Sequence, residues 1–304
     1  MPELPEVETI VRLIRPGLEG RRIGAAELRL PRILLSPTPD LFQTLLPGQS
    51  VLRVLRRGKY IILELDHSSL VIHLGMTGQL TWSPPEYREQ GKFFRTVTGL
   101  EKAVGIHPVD KHTHLVLRMD DGSRVLFRDP RTFGKLFLVE GDSWPAHPRL
   151  KILGPEPLNL KVKPFMAGSL SLRSARPVKA LLLDQSFLAG VGNIYADEAL
   201  FRSGIHPRTP VRDISPERMA ELLAAVKAVL RKGIRYSGTT FSDYRKPDGG
   251  EGDMYERLQV YGRGGLPCRK CRTPLRKSVV AQRGTVHCPA CQAEPRGRKR
   301  RPAK

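Results

Sequence analysis

The sequence predicts an α+β chain of several domains: a strand-rich first half, a helical segment, and a short hairpin pinned by cysteines. Three observations carry that expectation. Seven short runs rich in Val, Ile and Leu, with no helical pattern between them, fill residues 23–140. After Pro148 the apolar spacing changes to a helical period. All four cysteines fall within Cys268–Cys291, as two CxxC pairs.

Taken in order, "EVETIVRLIRPGLEG" spaces Val7, Ile10, Val11 and Ile14 as one helical face, with Pro16 and Gly17 predicted to close the helix. "IGAAELRL", "SVLRVLRRG", "YIILELD", "SLVIHLGM", "THLVLRMD", "SRVLFRD" and "GKLFLVE" follow, punctuated by turns such as Asp121-Gly122. Such a series predicts a β-sandwich or barrel ending near Glu140. The irregular stretch Ser83–Lys111 reads as a long surface insertion. "VKALLLDQ", "NIYADEALFRSG" and "SPERMAELLAAVKAVLRKG" then carry helical period. "YSGTTFSDYRKPDGGEGD" reads as a mobile loop, and "EPRGRKRRPAK" as a disordered basic tail.

Charge points to the partner. The 304 residues hold 51 Lys+Arg against 30 Asp+Glu, a net +21, which predicts a polyanionic partner, most simply nucleic acid. No apolar run approaches the length of a membrane span. Glu3, Glu6 and Glu8 stand where a signal peptide carries positive charge, so a soluble, cytoplasmic protein is expected.

Cys268-x2-Cys271 and Cys288-x2-Cys291, sixteen residues apart, have the spacing of a four-thiolate zinc site. Four filled ligand positions leave none for substrate, so one structural Zn²⁺ is expected. Between the pairs, "RTPLRKSVVAQRGTVH" alternates well enough for a hairpin. From Arg263 to Lys304 thirteen basic residues face the single acid Glu294, a net +12, which makes the hairpin a nucleic-acid grip.

The N-terminus "MPELPEVETI" is chemically suggestive. With Met1 removed, Pro2 presents a secondary amine; an α-amino group titrates near ~8, so a useful fraction is an unprotonated nucleophile. Attack on a sugar C1′ forms an iminium ion, an electron sink for elimination, with the neighbouring Glu3 carboxyl as acid or base. Ten residues alone favour a capped, inert terminus whose Glu residues start a helix.

Eight motifs in order, "MPELPEVET", "RRGKYIILEL", "HLGMTGQL", "DPRTFG", "LAGVGNIYADEALFRSGIHP", "GTTFSDY", "QVYGRGGLPC" and the cysteine module, resemble the formamidopyrimidine-DNA glycosylases. The resemblance runs from Met1 to about Gln292. It implies an N-terminal β-sandwich with a helix, a helix–two-turn–helix domain and a zinc finger, acting as a monomer on double-stranded DNA with oxidised bases or abasic sites. The activity implied is removal of oxidised purines, then strand cleavage by β,δ-elimination, in the bacterial cytoplasm at the nucleoid. Pro2 is then the Schiff-base nucleophile, Glu3 the assisting acid, Glu6 a supporting carboxylate, Lys59 the β-elimination proton donor, and Arg283 the zinc-finger arginine of δ-elimination and phosphate grip.

Chemistry on a base requires flipping it out of the duplex. By the same resemblance Met76, Arg131 and Phe133 fill the gap left behind. Asn193, which also stands after two glycines at a helix start, is a phosphate contact, as are Lys179 and His112. Gly238–Tyr244, including Thr239 and Thr240, is the lesion-recognition loop.

Two departures stand out. Lys111-His112-Thr113-His114 replaces the family's Lys-His-Asp-His, and no lysine stands four positions before Lys179, where Arg176 is the candidate substitute. The expected domains are residues 1–146 (catalytic sandwich), 147–235 (helix–two-turn–helix), 236–262 (lesion loop and linker), 263–294 (zinc finger) and 295–304 (tail). Two other functions fit parts of the pattern: an endonuclease VIII-like glycosylase for oxidised pyrimidines, and a zinc-finger DNA binder without catalysis. "PELPEV", the complete cysteine set and the GTT loop favour the purine enzyme.

Overall fold

The structure, a computed structural model, describes residues 1–85, 94–95, 101–102, 109–168, 170–239, 246 and 252–294. Most of the Ser83–Lys111 stretch, Thr240, Tyr244 and the tail 295–304 lie outside the described residues. Contacts group Met1–Leu153 with Lys232–Glu256 as one unit, and Gly154–Arg231 with Arg257–Lys304 as the other. The chain thus returns to its first unit after the helices instead of filling its domains one after another.

In the first unit α1 (Leu4–Leu18) leads into β1 (Ile23–Leu28), α2 (Pro39–Leu45), β2 (Val51–Arg57), β3 (Tyr60–Leu65), β4 (Ser68–His73) and β5 (Gln79–Ser83). A two-residue ribbon, β6 (Phe94–Arg95) and β7 (Glu101–Lys102), precedes β8 (Thr113–Met119), β9 (Arg124–Arg128), β10 (Lys135–Glu140) and the short α3 (Pro148–Lys151). Two antiparallel four-stranded sheets form, ordered β1-β8-β9-β5 and β10-β4-β3-β2. Ile61, Leu63, Leu70, Ile72, Leu115, Leu117, Val125, Phe127 and Leu136 face one another between them, as a sandwich requires. Ile62, Val71 and Phe137, from the outer face of the second sheet, pack with Leu150 of α3. Burial on both faces explains why "YIILEL" reads as a continuous apolar run instead of alternating.

α1 starts three residues earlier than its apolar stripe suggests and continues through Pro16 to Leu18. Proline near a helix end costs little, because the hydrogen bond it removes is in the fraying turn. Gly17 is needed there for a different reason: a Cβ would come within 2.5 Å of the Trp82 indole. Val7, Ile10, Val11, Ile14 and Leu18 of α1 are buried in the sandwich core.

The second unit holds α4 (Val162–Gly168), α5 (Val178–Leu183), α6 (Asn193–Ser203), most of α7 (Pro216–Arg235), and the hairpin β11 (Arg276–Val280) and β12 (Arg283–His287). Gly204, at φ +67, caps α6, with its N–H donating to Phe201 and that of Ile205 to Leu200. Val260, Cys268, Leu275 and Cys288 make a small core under the hairpin.

Candidate active site

The N-terminus is built as a fixed object. Met1 is half exposed, whereas Pro2, Glu3 and Glu6 are buried. Glu3 caps α1 in a reciprocal box: its side chain accepts from the Glu6 N–H, and Glu6 Oε2 accepts from the Glu3 N–H at 2.9 Å. The other oxygen of Glu6, Oε1, accepts from the Thr239 N–H at 2.7 Å. One buried carboxylate therefore ties residue 3 to residue 239. Gly238 lies against that carboxylate at φ +81, where a Cβ would come within 2.8 Å of Glu6 Cγ. The structure thus brings Glu3, Glu6, Gly238 and Thr239 together.

Lys59 is buried in the two-residue turn between β2 and β3, after Gly58 at φ +56. Arg56 wires that turn to α1, donating from Nε to Glu8 Oε2 at 2.8 Å and from Nη1 to the Gly58 carbonyl at 3.0 Å. Burial works against a charged Glu8, but the Arg56 and Arg12 guanidiniums hold its carboxyl below the usual range. His73 lies nearby in β4. Burial, with the charges of Lys59 and Arg149, pulls its pKa from 6.5 down to about 4.

Met76, Arg131 and Phe133 sit on two loops that touch backbone to backbone. A Cβ on Gly75 would come within 2.6 Å of the Phe133 carbonyl carbon, so glycine permits the approach. Met76 and Phe133 are exposed, at 39% and 50%, and the Arg131 guanidinium lies 4.9 Å from the Phe133 ring centre. The residue that organises both loops, Asp129, went unnoticed in the sequence. Fully buried, it accepts from Thr77 Oγ1, from the Arg131 N–H at 3.2 Å and from the Gly134 N–H at 2.7 Å. Between those donors Thr132 is held at φ +56, with its hydroxyl bonded by Arg32.

Partly buried His112 donates its N–H to Asp110 Oδ1 at 2.9 Å and accepts the Asp129 N–H at its carbonyl. His114 Nε2 meets the Asp129 carbonyl at 2.8 Å. Thr113, the departure from the family pattern, bonds Asp110 through its hydroxyl. Burial opposes ionisation of Asp110, but hydrogen bonds from Arg128 and the His112 N–H keep its pKa low.

In the second unit Lys179 is a correction. Its side chain is 0% exposed, and Nζ meets Asp197 Oδ1 at 2.6 Å, Thr285 Oγ1 at 2.8 Å and the Gly284 carbonyl at 3.1 Å. Fully buried and held among these groups, the ammonium does not face solvent, where a phosphate would lie. Asn193 Nδ2 donates to the same Gly284 carbonyl at 2.9 Å, and Asp197 Oδ2 accepts the Val286 N–H at 3.0 Å. α5 and α6 thereby hold β12 immediately after Arg283, which is exposed at the hairpin tip. Burial, partly offset by Lys179, raises the Asp197 pKa to about 6. Arg176, the candidate substitute, pairs with Asp184 at 2.8 Å. Asp197 and Glu198 escaped notice within "NIYADE"; Glu198 collects the N–H groups of Gln259, Val260 and Tyr261.

The sulfurs of Cys268, Cys271, Cys288 and Cys291 lie within 4.8 Å of one another. Lys270 and Cys291 N–H groups point at Cys268 and Cys288 sulfur at 3.4 Å, the arrangement that stabilises thiolates in a zinc knuckle. The set fits one tetrahedral zinc ion, whose contribution is to fold the hairpin.

A β-sandwich carrying a buried proline at position 2, followed by helices and a four-cysteine hairpin, defines a zinc-finger DNA glycosylase fold. Family models agree along the chain: the formamidopyrimidine-DNA glycosylase N-terminal domain at residues 1–136, its H2TH domain at 153–245, and the zinc finger found in FPG and IleRS at 265–293. The formamidopyrimidine-DNA glycosylase of Symbiobacterium thermophilum is 40% identical over 98% of this chain and 91% of its own. That of Herpetosiphon aurantiacus is 42% identical over 96% and 100%. Among solved structures, MutM (Fpg) of Thermus thermophilus matches at TM-score 0.80 and 40% identity, covering 97% of this chain and 100% of that one. Lactococcus lactis Fpg, in complex with DNA containing Fapy-dG, matches at 0.81 and 31% over 96% and 100%. The chain belongs to the formamidopyrimidine-DNA glycosylase family, whose members are base-excision repair enzymes.

Proposed function

We propose that this protein excises oxidised purines, 8-oxoguanine and formamidopyrimidines, from duplex DNA through Pro2 and then cleaves the strand by β,δ-elimination. The Glu6 clamp is the observation that carries the reading: a carboxylate shared between the Glu3 and Thr239 N–H groups immobilises the terminus. Removal of Met1 frees the Pro2 nitrogen. Its lone pair forms a bond to C1′ as the bond to the base breaks, and the base leaves with a proton. Glu3 protonates the ring oxygen as the sugar opens to an iminium, which acidifies the C2′ hydrogen. Loss of that hydrogen expels the 3′ phosphate, with Lys59 moving protons at the site. A further elimination, assisted by Arg283, expels the 5′ phosphate.

Met76, Arg131 and Phe133 would occupy the space of the flipped nucleotide, on loops stiffened by Asp129. His112, Asn193 and Arg283 would take phosphates, and residues 238–244 the extruded base. Arg176 and the 147–235 and 263–294 segments supply the surrounding basic surface, while 1–146 carries the chemistry and 236–262 links back to it. No helix among the described residues is long and apolar enough to cross a membrane. With a charge of +21, a cytoplasmic monomer gathered at the nucleoid fits. Incubation with 8-oxoguanine duplex should release free base and leave phosphate on both flanking ends. Release of thymine glycol in preference to 8-oxoguanine would favour the pyrimidine-directed alternative.

A further inference from the structure

A cavity of about 420 Å³ lies wholly within the second unit, beside the zinc hairpin. Three exposed cations line it: Arg208, Arg276 and Lys277. Two are anchored. Arg208 Nη2 donates to the Val279 carbonyl at 2.9 Å, and the Lys277 stem lies over Gly264, where a Cβ would come within 2.3 Å of it.

Beneath them sit buried polar atoms. His206 is 2% exposed; its Nδ1 accepts the Arg208 N–H at 3.2 Å, which places the proton on Nε2. That Nε2 is buried and has no hydrogen-bond partner among the described residues. His287 Nδ1, on a ring edge-on to His206 at 4.6 Å, and Ser278 Oγ are in the same condition. Buried polar groups in folded proteins are nearly always satisfied, so these three atoms beside one cavity leave hydrogen-bonding capacity for a polar group bound there.

Cations over an orphaned N–H and a hydroxyl are anion-recognition chemistry. A metal is disfavoured, because among the described residues the cysteine cluster alone brings three or more His, Cys, Asp or Glu ligand atoms together. Glu294 also lines the cavity and suits a ligand hydroxyl. The volume exceeds what orthophosphate needs and falls in the range of roughly 300–1,000 Å³ typical of small-molecule sites.

We propose that this cavity binds a phosphate group carried on a nucleotide-sized ligand, at a site separate from the Pro2 chemistry. The phosphate would lie among Arg208, Arg276 and Lys277 and accept from His206 Nε2 and Ser278, with a sugar hydroxyl donating to Glu294. A free nucleoside monophosphate and a phosphate of a DNA strand share this chemistry.

Calorimetric titration of the zinc-loaded full chain at constant ionic strength tests it, with inorganic phosphate and a nucleoside 5′-monophosphate as probes. Saturable binding is expected for both, tighter for the nucleotide. Arg276→Gln with Lys277→Gln should weaken it at least tenfold, and so should His206→Gln. Arg12→Gln with Arg118→Gln, which removes the same charge elsewhere, should leave it unchanged. Release of the nucleotide by short duplex DNA would identify a strand phosphate as the occupant, and undiminished binding would identify the free nucleotide. Absence of saturable binding, or equal affinity in the Arg276/Lys277 variant and wild type, would overturn the proposal.

Discussion

Glu6 is worth more to this molecule than its place at a helix start suggests. Its carboxylate is buried and accepts from two backbone N–H groups over 230 residues apart in the chain. Glu6→Gln puts an amide donor against one of those donors, at a cost of about 1–3 kcal/mol. A lower Tm and slower excision together are expected; unchanged excision would separate the clamp from the chemistry. His73 gives a pH signature. Burial and the cations Lys59 and Arg149 depress its folded pKa to about 4 from 6.5. Stability from the neutral ring is therefore complete above pH 6.5 and lost as pH falls through 4, with a slope up to about 1.4 kcal/mol per pH unit. Urea unfolding at several pH values should show a shallower acid loss in His73→Gln than in wild type.

At the scale of elements, the hairpin is aimed by buried charge. Lys179→Met leaves Asp197 buried without its ion-pair partner, and destabilisation of about 3–5 kcal/mol follows. Its salt dependence of DNA binding should match wild type, whereas Arg283→Ala should lose about one unit of salt slope. A reduced slope in Lys179→Met would restore the phosphate-contact role. Most elements were legible in the sequence because local patterns specify them: the seven apolar runs became strands, and the cysteine spacing became a hairpin with clustered sulfurs. β5 was not, because "QLTWS" mixes polar residues with its apolar ones and owes its pairing to β9. α2 was hidden in a proline-flanked stretch too short for a clear period. Asp129 and Lys179 were opaque for another reason. Whether a charged residue faces solvent or a buried partner 52 or 106 positions away is set by tertiary packing, which composition and spacing do not encode.

Across the whole molecule, the proposed function assigns the grip on DNA to the +21 charge and the zinc hairpin, and the chemistry to the N-terminus. Stripping zinc with a chelator should unfold the Cys268–Cys291 hairpin and weaken duplex binding, and restored zinc should recover both. Far-ultraviolet circular dichroism and a binding titration on one sample would follow this. The proposed chemistry, however, stands on the Pro2 nitrogen. The most direct measurement is borohydride reduction during reaction with an 8-oxoguanine duplex, on protein beginning at Pro2 and on protein with one residue left ahead of it. A covalent protein–DNA adduct from the first and none from the second is the predicted result. Equal adducts from both, or none from either, would contradict it.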